Sequence, residues 1–124
     1  IIPQNIILLQ PTSPFRTNID IEESIKLFKK KKYDSLFSAY EDKLLIWKKK
    51  INGFEAINYN VKKRKRFQNL KKFIIENGAI FIFNYKKFLK HKVRLFEKKG
   101  CYLMSKKNSF DIDDNYDLYL ARKY

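Results

Sequence analysis

The 124-residue chain carries 28 Lys and Arg against 13 Asp and Glu, a formal net charge of +15, and 44% of its residues are hydrophobic. This length allows one domain with a single core, and this hydrophobic fraction argues against long disordered segments. The charge attracts phosphate-bearing partners in general, but an AT-rich coding bias explains the lysines equally well, so charge selects no function.

The first residue and the sulfur-containing residues set further limits. The chain begins at Ile1 and its only methionine is Met104, so we expect a segment of a longer protein. The single cysteine, Cys101, excludes an internal disulfide and is typical of a reducing compartment, which favours a cytoplasmic location. No apolar run approaches the roughly 20 residues of a membrane-spanning helix, so we predict no membrane partner.

The first third of the chain has the pattern of a βαβ unit. The β-branched apolar run Asn5–Leu9 predicts a strand covered on both faces, which is typical of parallel sheets. Residues 17–32 predict a helix, because Thr17 and Asp20 match a capping box and lysines fill the last turn. Residues 35–40 predict the next strand.

The remainder predicts further alternation of strands and helices. Asn52 and Gly53 between β-prone runs predict a hairpin, and we interpret residues 42–66 as a hairpin followed by a basic loop. The other predicted elements are strands at 78–83 and 101–105 and helices at 84–92 and 113–124, the last capped by Asp114. The predicted fold class is therefore α/β, with a mostly parallel sheet and one hairpin excursion.

The first motif with chemical potential is "QPTSPFR", residues 10–16, directly after the first strand. Its two prolines fix φ and extend the residues before them, so the loop is preorganised. Arg16 at its end either binds a carboxylate or phosphate, or pins the loop. A rigid turn without a ligand is the alternative to a binding loop. The candidate ligand-binding side chains are Gln10, Thr12 and Ser13.

Two further motifs follow. Asn77 and Gly78 at the start of a strand permit a tight turn or close approach of a ligand to the backbone. In extended chain, Asp111 and Asp113 point the same way and can share one hard cation, while Asp114 points away. Helix capping is the alternative for these acids. Together the three motifs predict a phosphate- and metal-handling site at the carboxyl edge of the sheet.

The order of the three motifs closely resembles one enzyme family. "LLQPTSPFRT" (residues 8–17), "ENGAIFIF" (76–83) and "YLMSKKNSFDIDDNYDLYLA" (102–121) resemble the sugar-acid cytidylyltransferases, nearest to CMP-N-acetylneuraminate synthetases and their legionaminate and pseudaminate relatives. The resemblance implies a Rossmann-like nucleotidyltransferase sheet whose N-terminal nucleotide-binding half is missing. Residues 1–124 would then be the C-terminal portion of one domain, inactive alone, with 42–66 as a dimerisation or sugar-site excursion.

The resemblance also implies a reaction and its residues. The family transfers CMP from CTP to a nine-carbon α-keto acid sugar, with Mg²⁺ and release of pyrophosphate, for lipopolysaccharide or capsule biosynthesis, and is commonly a homodimer. Asp111 and Asp113 match its catalytic metal-binding pair. Relatives carry an arginine beside a glutamine before "NGA"; here Phe67 precedes Gln68, so Arg66 or Arg64 would act from a shifted position. The implied substrate-binding residues are Gln10, Thr12, Ser13, Arg16, Arg66, Gln68, Asn77 and Gly78.

Two other interpretations fit parts of the sequence. "KKRKRF", residues 62–67, with interleaved aromatic residues would suit a non-catalytic nucleic-acid-binding domain, which the motif set disfavours. A cytidylyltransferase for a different sugar is the second alternative, because a shared scaffold does not determine its substrate. We expect no catalytic role for His91, since no carboxylate or metal partner is evident nearby, nor for Cys101.

Overall fold

The computed structural model describes residues 1–124 as one mixed sheet, a separate hairpin and three α-helices. The elements in chain order are β1 (Asn5–Leu9), α1 (Asn18–Lys30), β2 (Ser35–Asp42), β3 (Trp47–Lys50), β4 (Gly53–Ala56), β5 (Phe73–Asn84), α2 (Tyr85–His91), β6 (Lys99–Leu103) and α3 (Asn115–Ala121). Short 3₁₀ turns at Val61–Lys63 and Phe67–Asn69 lie between β4 and β5. None of the helices has the length and apolar character needed to cross a bilayer. The predicted α/β class is confirmed.

The main sheet has the strand order β1-β5-β2-β6, and its strand directions differ from the prediction. β5 pairs antiparallel with both β1 and β2, and only β2 and β6 pair in parallel. The prediction of a mostly parallel sheet is therefore wrong. Residues 43–72 contain no α-helix to carry the chain back across the sheet, so β5 starts where β2 ends, with Asp42 opposite Phe73. A run of buried apolar residues indicates that both faces are covered and does not specify direction.

The sheet is covered on both faces. On one face, Phe28 of α1 joins Leu36, Ile80, Ile82 and Met104 in the larger buried cluster, with other apolar residues of α1 packed against it. On the other face, a second cluster is made by Phe81, Phe83 and Phe96. The β-branched and aromatic residues that alternate along β5 therefore contribute to both cores, and this strand is the centre of the fold.

Local signals in the sequence determine where α1 begins and where the hairpin turns. The capping box is confirmed: Thr17 Oγ1 accepts from the Asp20 N–H at 3.1 Å and Asp20 Oδ2 accepts from the Thr17 N–H at 3.0 Å. The predicted hairpin is also confirmed, but Lys50 pairs with Gly53, so the turn is Ile51 and Asn52, one residue earlier than expected. Gly53 has φ +139°, a conformation that favours glycine, as the first paired residue after the turn.

A charged cluster lies where the strands β2 and β6 begin. Lys87 Nζ contacts Asp34 Oδ1 at 2.5 Å and Glu97 Oε1 at 3.3 Å. His91 Nε2 lies 2.8 Å from Glu97 Oε2, and its ring stacks on Phe96. The expectation that His91 has no carboxylate partner is wrong, because a turn 6 residues along the chain brings Glu97 back to it. This cluster ties α2 to the start of β6 and lies at the opposite end of the strands from the motifs described below.

Candidate functional site

The proline-containing loop and the acidic turn meet at one edge of the sheet. The loop of residues 10–16 follows the carboxyl end of β1, and residues 104–114 follow the carboxyl end of β6. The Ile112 N–H donates to the Thr12 carbonyl at 2.9 Å and joins the two segments directly. Arg16 Nη1 donates to the carbonyls of Gln10 at 2.8 Å and Ala79 at 2.9 Å, which ties the loop to β5 and supports the loop-pinning role for this arginine.

An extended bulge in β5 forms the floor between these segments. Phe37 of β2 pairs with Phe81 of β5, whereas Ala39 pairs with Glu76, so four residues of β5 lie opposite one residue of β2. Gly78 within the bulge has φ +69°, which other residues rarely adopt. A Cβ on Gly78 would lie 3.3 Å from Gln10 Oε1, so the bare backbone lets the Gln10 amide lie against the bulge.

The Asn77 side chain holds the bulge to its neighbours through buried hydrogen bonds. Its Oδ1 accepts from Ser38 Oγ at 2.6 Å and from the Ala79 N–H at 3.1 Å. Its Nδ2 donates to Ser109 Oγ at 2.9 Å and to Met104 Sδ at 3.4 Å. Both lone pairs and both hydrogens of the amide are used within the protein. Asn77 therefore positions the segment before the acidic turn, and its side chain has no free group for a ligand.

A cavity of about 610 Å³ opens beside the bulge. Four of its lining side chains are carboxylates and only one, Lys106, is a cation. The complete lining is Tyr40, Glu76, Asn77, Gly78, Lys106, Ser109, Phe110, Asp111, Asp113 and Asp117. The cavity thus combines a glycine-containing backbone floor with an acidic wall, and it needs cations before it can accept an anionic ligand.

The acidic wall is built by a short turn whose carboxylates have different partners. The negative charge of Asp111, together with partial desolvation, raises the pKa of the Asp113 carboxyl above its usual value. Asp111 Oδ1 is buried and has no hydrogen-bond partner. Asp117 Oδ2 accepts from the Asp113 N–H at 3.0 Å, and Asp114 Oδ1 accepts from the Asp117 N–H at 2.8 Å. The predicted cap at Asp114 is confirmed, and Asp111 and Asp113 are left facing each other.

The paired carboxylates fit a hard divalent cation. A cation bound between Asp111 and Asp113 would relieve their repulsion and would give the unpartnered oxygen of Asp111 a partner. No set of three or more His, Cys, Asp or Glu side chains comes together as a metal site in residues 1–124. Mg²⁺ is typically bound by one or two carboxylates, with water and substrate phosphates completing its shell, so this donor set suits it.

Only some of the other predicted binding residues lie near the acidic cavity. Thr12 is exposed and contributes its backbone carbonyl, whereas Ser13 is buried with an Oγ that has no partner. Arg66 and Gln68 lie in the segment before β5 and do not line the acidic cavity. Arg64 lines a separate hollow of about 250 Å³ between the hairpin and this segment. The structure therefore brings the first and third motifs to the bulge, whereas Arg64 and Arg66 lie away from the acidic cavity.

Sequence reasoning missed several residues of the site. Ser38 and Ser109 hold Asn77 from 39 and 32 residues away in the chain, and no local pattern marks them. Lys106 is one of many lysines and has no distinguishing neighbour. Asp117 had a detectable signal, since it lies three residues after the predicted cap Asp114, where the acidic partner of a capping box stands.

Comparison with known proteins gives the chain a clear relationship. No protein-family model matches it. It is 32% identical over 123 residues to the N-acylneuraminate cytidylyltransferase of Escherichia coli O18:K1:H7 (strain RS218), covering 95% of this chain and 29% of the relative. It is 30% identical over 126 residues to the Streptococcus agalactiae serotype III protein of that name, covering 92% and 28%. It is 31% identical over 119 residues to N-acylneuraminate cytidylyltransferase A of Danio rerio, covering 93% and 27%.

The chain is similar to N-acylneuraminate cytidylyltransferases. The resemblance to sugar-acid cytidylyltransferases that the three motifs predicted is thereby confirmed. The chain spans less than a third of the length of these cytidylyltransferases. The three motifs that carry the resemblance lie in the proline-containing loop, in the bulge of β5 and in the acidic turn.

Proposed function

We propose that the protein containing this chain transfers CMP from CTP to the anomeric hydroxyl of a nine-carbon α-keto acid sugar of the sialic-acid type. Pyrophosphate is the second product, and the activated sugar serves surface glycan synthesis. The observation that carries this proposal is the facing pair Asp111 and Asp113 in the same cavity as Gly78 of the β5 bulge. The relatives that are similar along 92–95% of this chain are named for this kind of transfer.

Each part of the site has a defined task in this reaction. Asp111 and Asp113 would hold Mg²⁺, which neutralises phosphate charge as pyrophosphate leaves. Asp117 and Asp114 fix the backbone of the turn, so the two carboxylates stay in place without reorganising. The Gln10 amide, which lies beside Gly78, offers a donor and an acceptor to the sugar or the nucleotide. Arg16 holds the loop against β5, and Asn77 holds the bulge in its conformation.

The same proposal includes a homodimer and a cytoplasmic location. The hairpin β3–β4 makes a sheet of its own and exposes apolar side chains, including Phe54, which is 72% exposed. Such an excursion is suited to packing on a second copy of the protein. The single cysteine, Cys101, is a free thiol, which is typical of a reducing compartment.

A pyrophosphate-release assay on the full-length protein tests the function. We expect release only when CTP, a nonulosonic acid and Mg²⁺ are all present. Asp111→Asn or Asp113→Asn should lower kcat about 100-fold or more, because each removes a metal ligand. Asp114→Asn is the matched control: it removes a charge from the same turn, and asparagine caps a helix as well as aspartate does, so activity should stay near normal.

Each result has a defined meaning. Near-normal rates for both Asp111→Asn and Asp113→Asn would show that the metal assignment is wrong. A wild-type protein that releases no pyrophosphate with N-acetylneuraminic, legionaminic or pseudaminic acid does not have the proposed substrate. Salt-dependent retention on single-stranded RNA, unchanged by Asp113→Ala, would instead support the nucleic-acid-binding alternative.

A further inference from the structure

Lys106 is the one basic side chain among the residues that line the acidic cavity. Its backbone belongs to a tight turn in which Ser109 Oγ donates to the Ser105 carbonyl at 2.7 Å and the Asn108 N–H donates to Ser105 Oγ at 3.1 Å. Ser109 in turn accepts from Asn77 at 2.9 Å. The attachment point of Lys106 is therefore fixed to the β5 bulge, whereas its side chain is 71% exposed.

The present partner of Lys106 is easily exchanged. Lys106 Nζ lies 2.7 Å from Asp42 Oδ2 at the end of β2. This hydrogen bond raises the pKa of Lys106 and lowers that of Asp42, so both groups are charged at neutral pH. The Lys106 side chain is 71% exposed and that of Asp42 is 22% exposed, so water still reaches the pair and screens it, and ion pairs at the surface contribute little to stability. An incoming anion can therefore replace Asp42 at small cost.

An anionic substrate needs such a cation. Four carboxylates line the cavity, and one divalent ion on Asp111 and Asp113 neutralises only two of them. The arginines expected to receive the substrate anion lie elsewhere: Arg64 lines another hollow and Arg66 does not line this cavity. Lys43, the nearest lysine after β2, donates to the carbonyls of Phe67 and Gln68. Lys106 is left as the available cation.

We propose that Lys106 receives an anionic oxygen group of the substrate, a carboxylate or a phosphate, in the acidic cavity and exchanges Asp42 for that group. The proposal rests on the proposed function and adds a substrate-binding residue to it. Lys106 acts as a point charge on a flexible stem, which suits a ligand that arrives after the metal ion. The fixed backbone keeps the base of the Lys106 side chain at the acidic cavity in both states.

The test uses the full-length protein and a matched pair of lysines. Lys106→Met should raise one of the two substrate KM values about tenfold, the loss expected for one hydrogen bond to a charged group, with a smaller change in kcat. Lys107→Met removes the same charge from the adjacent residue, which lies over the Tyr124 ring and outside the acidic cavity. It should change both KM values less than about twofold. Lys106→Arg should restore most of the binding.

The substrate whose KM rises identifies the bound group. A rise for N-acetylneuraminic acid indicates the sugar carboxylate, and a rise for CTP indicates a phosphate. Asp42→Asn distinguishes substrate binding by Lys106 from a structural role of the Lys106–Asp42 ion pair. If Lys106 binds the substrate, Asp42→Asn should not raise KM. If only the ion pair matters, Asp42→Asn should raise KM as much as Lys106→Met does. The proposal is overturned if Lys106→Met has the same KM values as Lys107→Met. It is also overturned if Asp42→Asn raises KM as much as Lys106→Met does.

Equilibrium binding keeps this test independent of turnover. Titration of the full-length protein with inorganic pyrophosphate and with N-acetylneuraminic acid should show about tenfold weaker binding of one of them to Lys106→Met than to Lys107→Met. If wild type releases no pyrophosphate but this difference is found, the proposed reaction fails and the role of Lys106 stands. Equal binding by the two variants overturns the role of Lys106 alone.

Discussion

Asp111, Asp113 and Asp114 are three acidic residues within four positions that do different work. The first and second lie on the same side of an extended segment, so the charge of Asp111 raises the pKa of Asp113. Asp114 faces away and caps α3. Side-chain direction along extended chain, rather than residue type, therefore decides which carboxylate faces the cavity and which stabilises a helix.

The raised pKa of Asp113 predicts a pH-dependent stability. The folded state holds this proton to higher pH than the unfolded state, so folding is favoured below the ordinary aspartate pKa and loses this contribution as pH rises through the raised value. In full-length protein with EDTA, Asp113→Asn should therefore have a higher Tm than wild type at neutral pH. The difference should vanish at pH values below both pKa values.

Addition of Mg²⁺ should reverse the order of the Tm values of wild type and Asp113→Asn. At neutral pH it should raise the Tm of wild type and of Asp114→Asn, but raise that of Asp113→Asn much less, because the amide cannot hold the ion in the same way. Differential scanning calorimetry measures all three proteins. An equal rise for Asp113→Asn and wild type would show that the ion binds elsewhere.

At the scale of the elements, β5 decides the geometry of the site. It begins at Phe73, five residues before the predicted start at Gly78, and its bulge interrupts the alternation that marks a strand. The bulge is held by Asn77, whose partners come from β2 and from the loop after β6. One buried amide thus links three parts of the fold at the floor of the cavity.

Loss of the Asn77 side chain should be costly. Asn77→Ala removes four hydrogen bonds from a buried position and leaves polar groups without partners, so we expect a loss of about 2–3 kcal/mol in the free energy of unfolding. Asn108→Ala removes the same side chain where it makes no hydrogen bond and should change stability by less than about 0.5 kcal/mol. Urea unfolding of the full-length variants measures both, and equal losses would contradict the role of the network.

At the scale of the whole molecule, the chain exposes more surface than a compact monomer of its mass. Its accessible surface is 9479 Å², whereas a 15.1 kDa globular protein exposes about 7,100 Å². The hairpin contributes to the excess, since Phe54 is 72% exposed and Ile51 is fully exposed. This surface is available for contact with other polypeptide, whether more of the same protein or a second copy.

The hairpin surface leads to a prediction about assembly. If β3–β4 packs on a second copy, Phe54→Lys should convert a dimer of the full-length protein to a monomer, because it places a charge in an apolar interface. Ile19→Lys is the control, since Ile19 is 68% exposed on α1 and away from the hairpin. Light scattering measures the mass of each variant. A Phe54→Lys variant that stays dimeric would exclude the hairpin as the interface.

Interactions between near neighbours were determined by the sequence itself. The capping box of Thr17 and Asp20, the β3–β4 hairpin and the cap at Asp114 each depend on residues within a few positions of one another. The pairing of Asp111 with Asp113 follows from the two-residue period of extended chain. These features, and the three motifs that mark the relationship to cytidylyltransferases, needed no tertiary structure.

The tertiary structure alone decided the direction of β5, the hydrogen bonds of Asn77 and the place of Lys106. The direction of β5 depends on whether residues 43–72 cross the sheet, and a buried apolar strand has the same sequence pattern in either direction. Asn77 and Lys106 have side-chain partners 27 to 64 residues away, which leave no periodic signal. Contacts between distant residues form only when the sheet assembles, and the cavity is lined by residues that such contacts bring together.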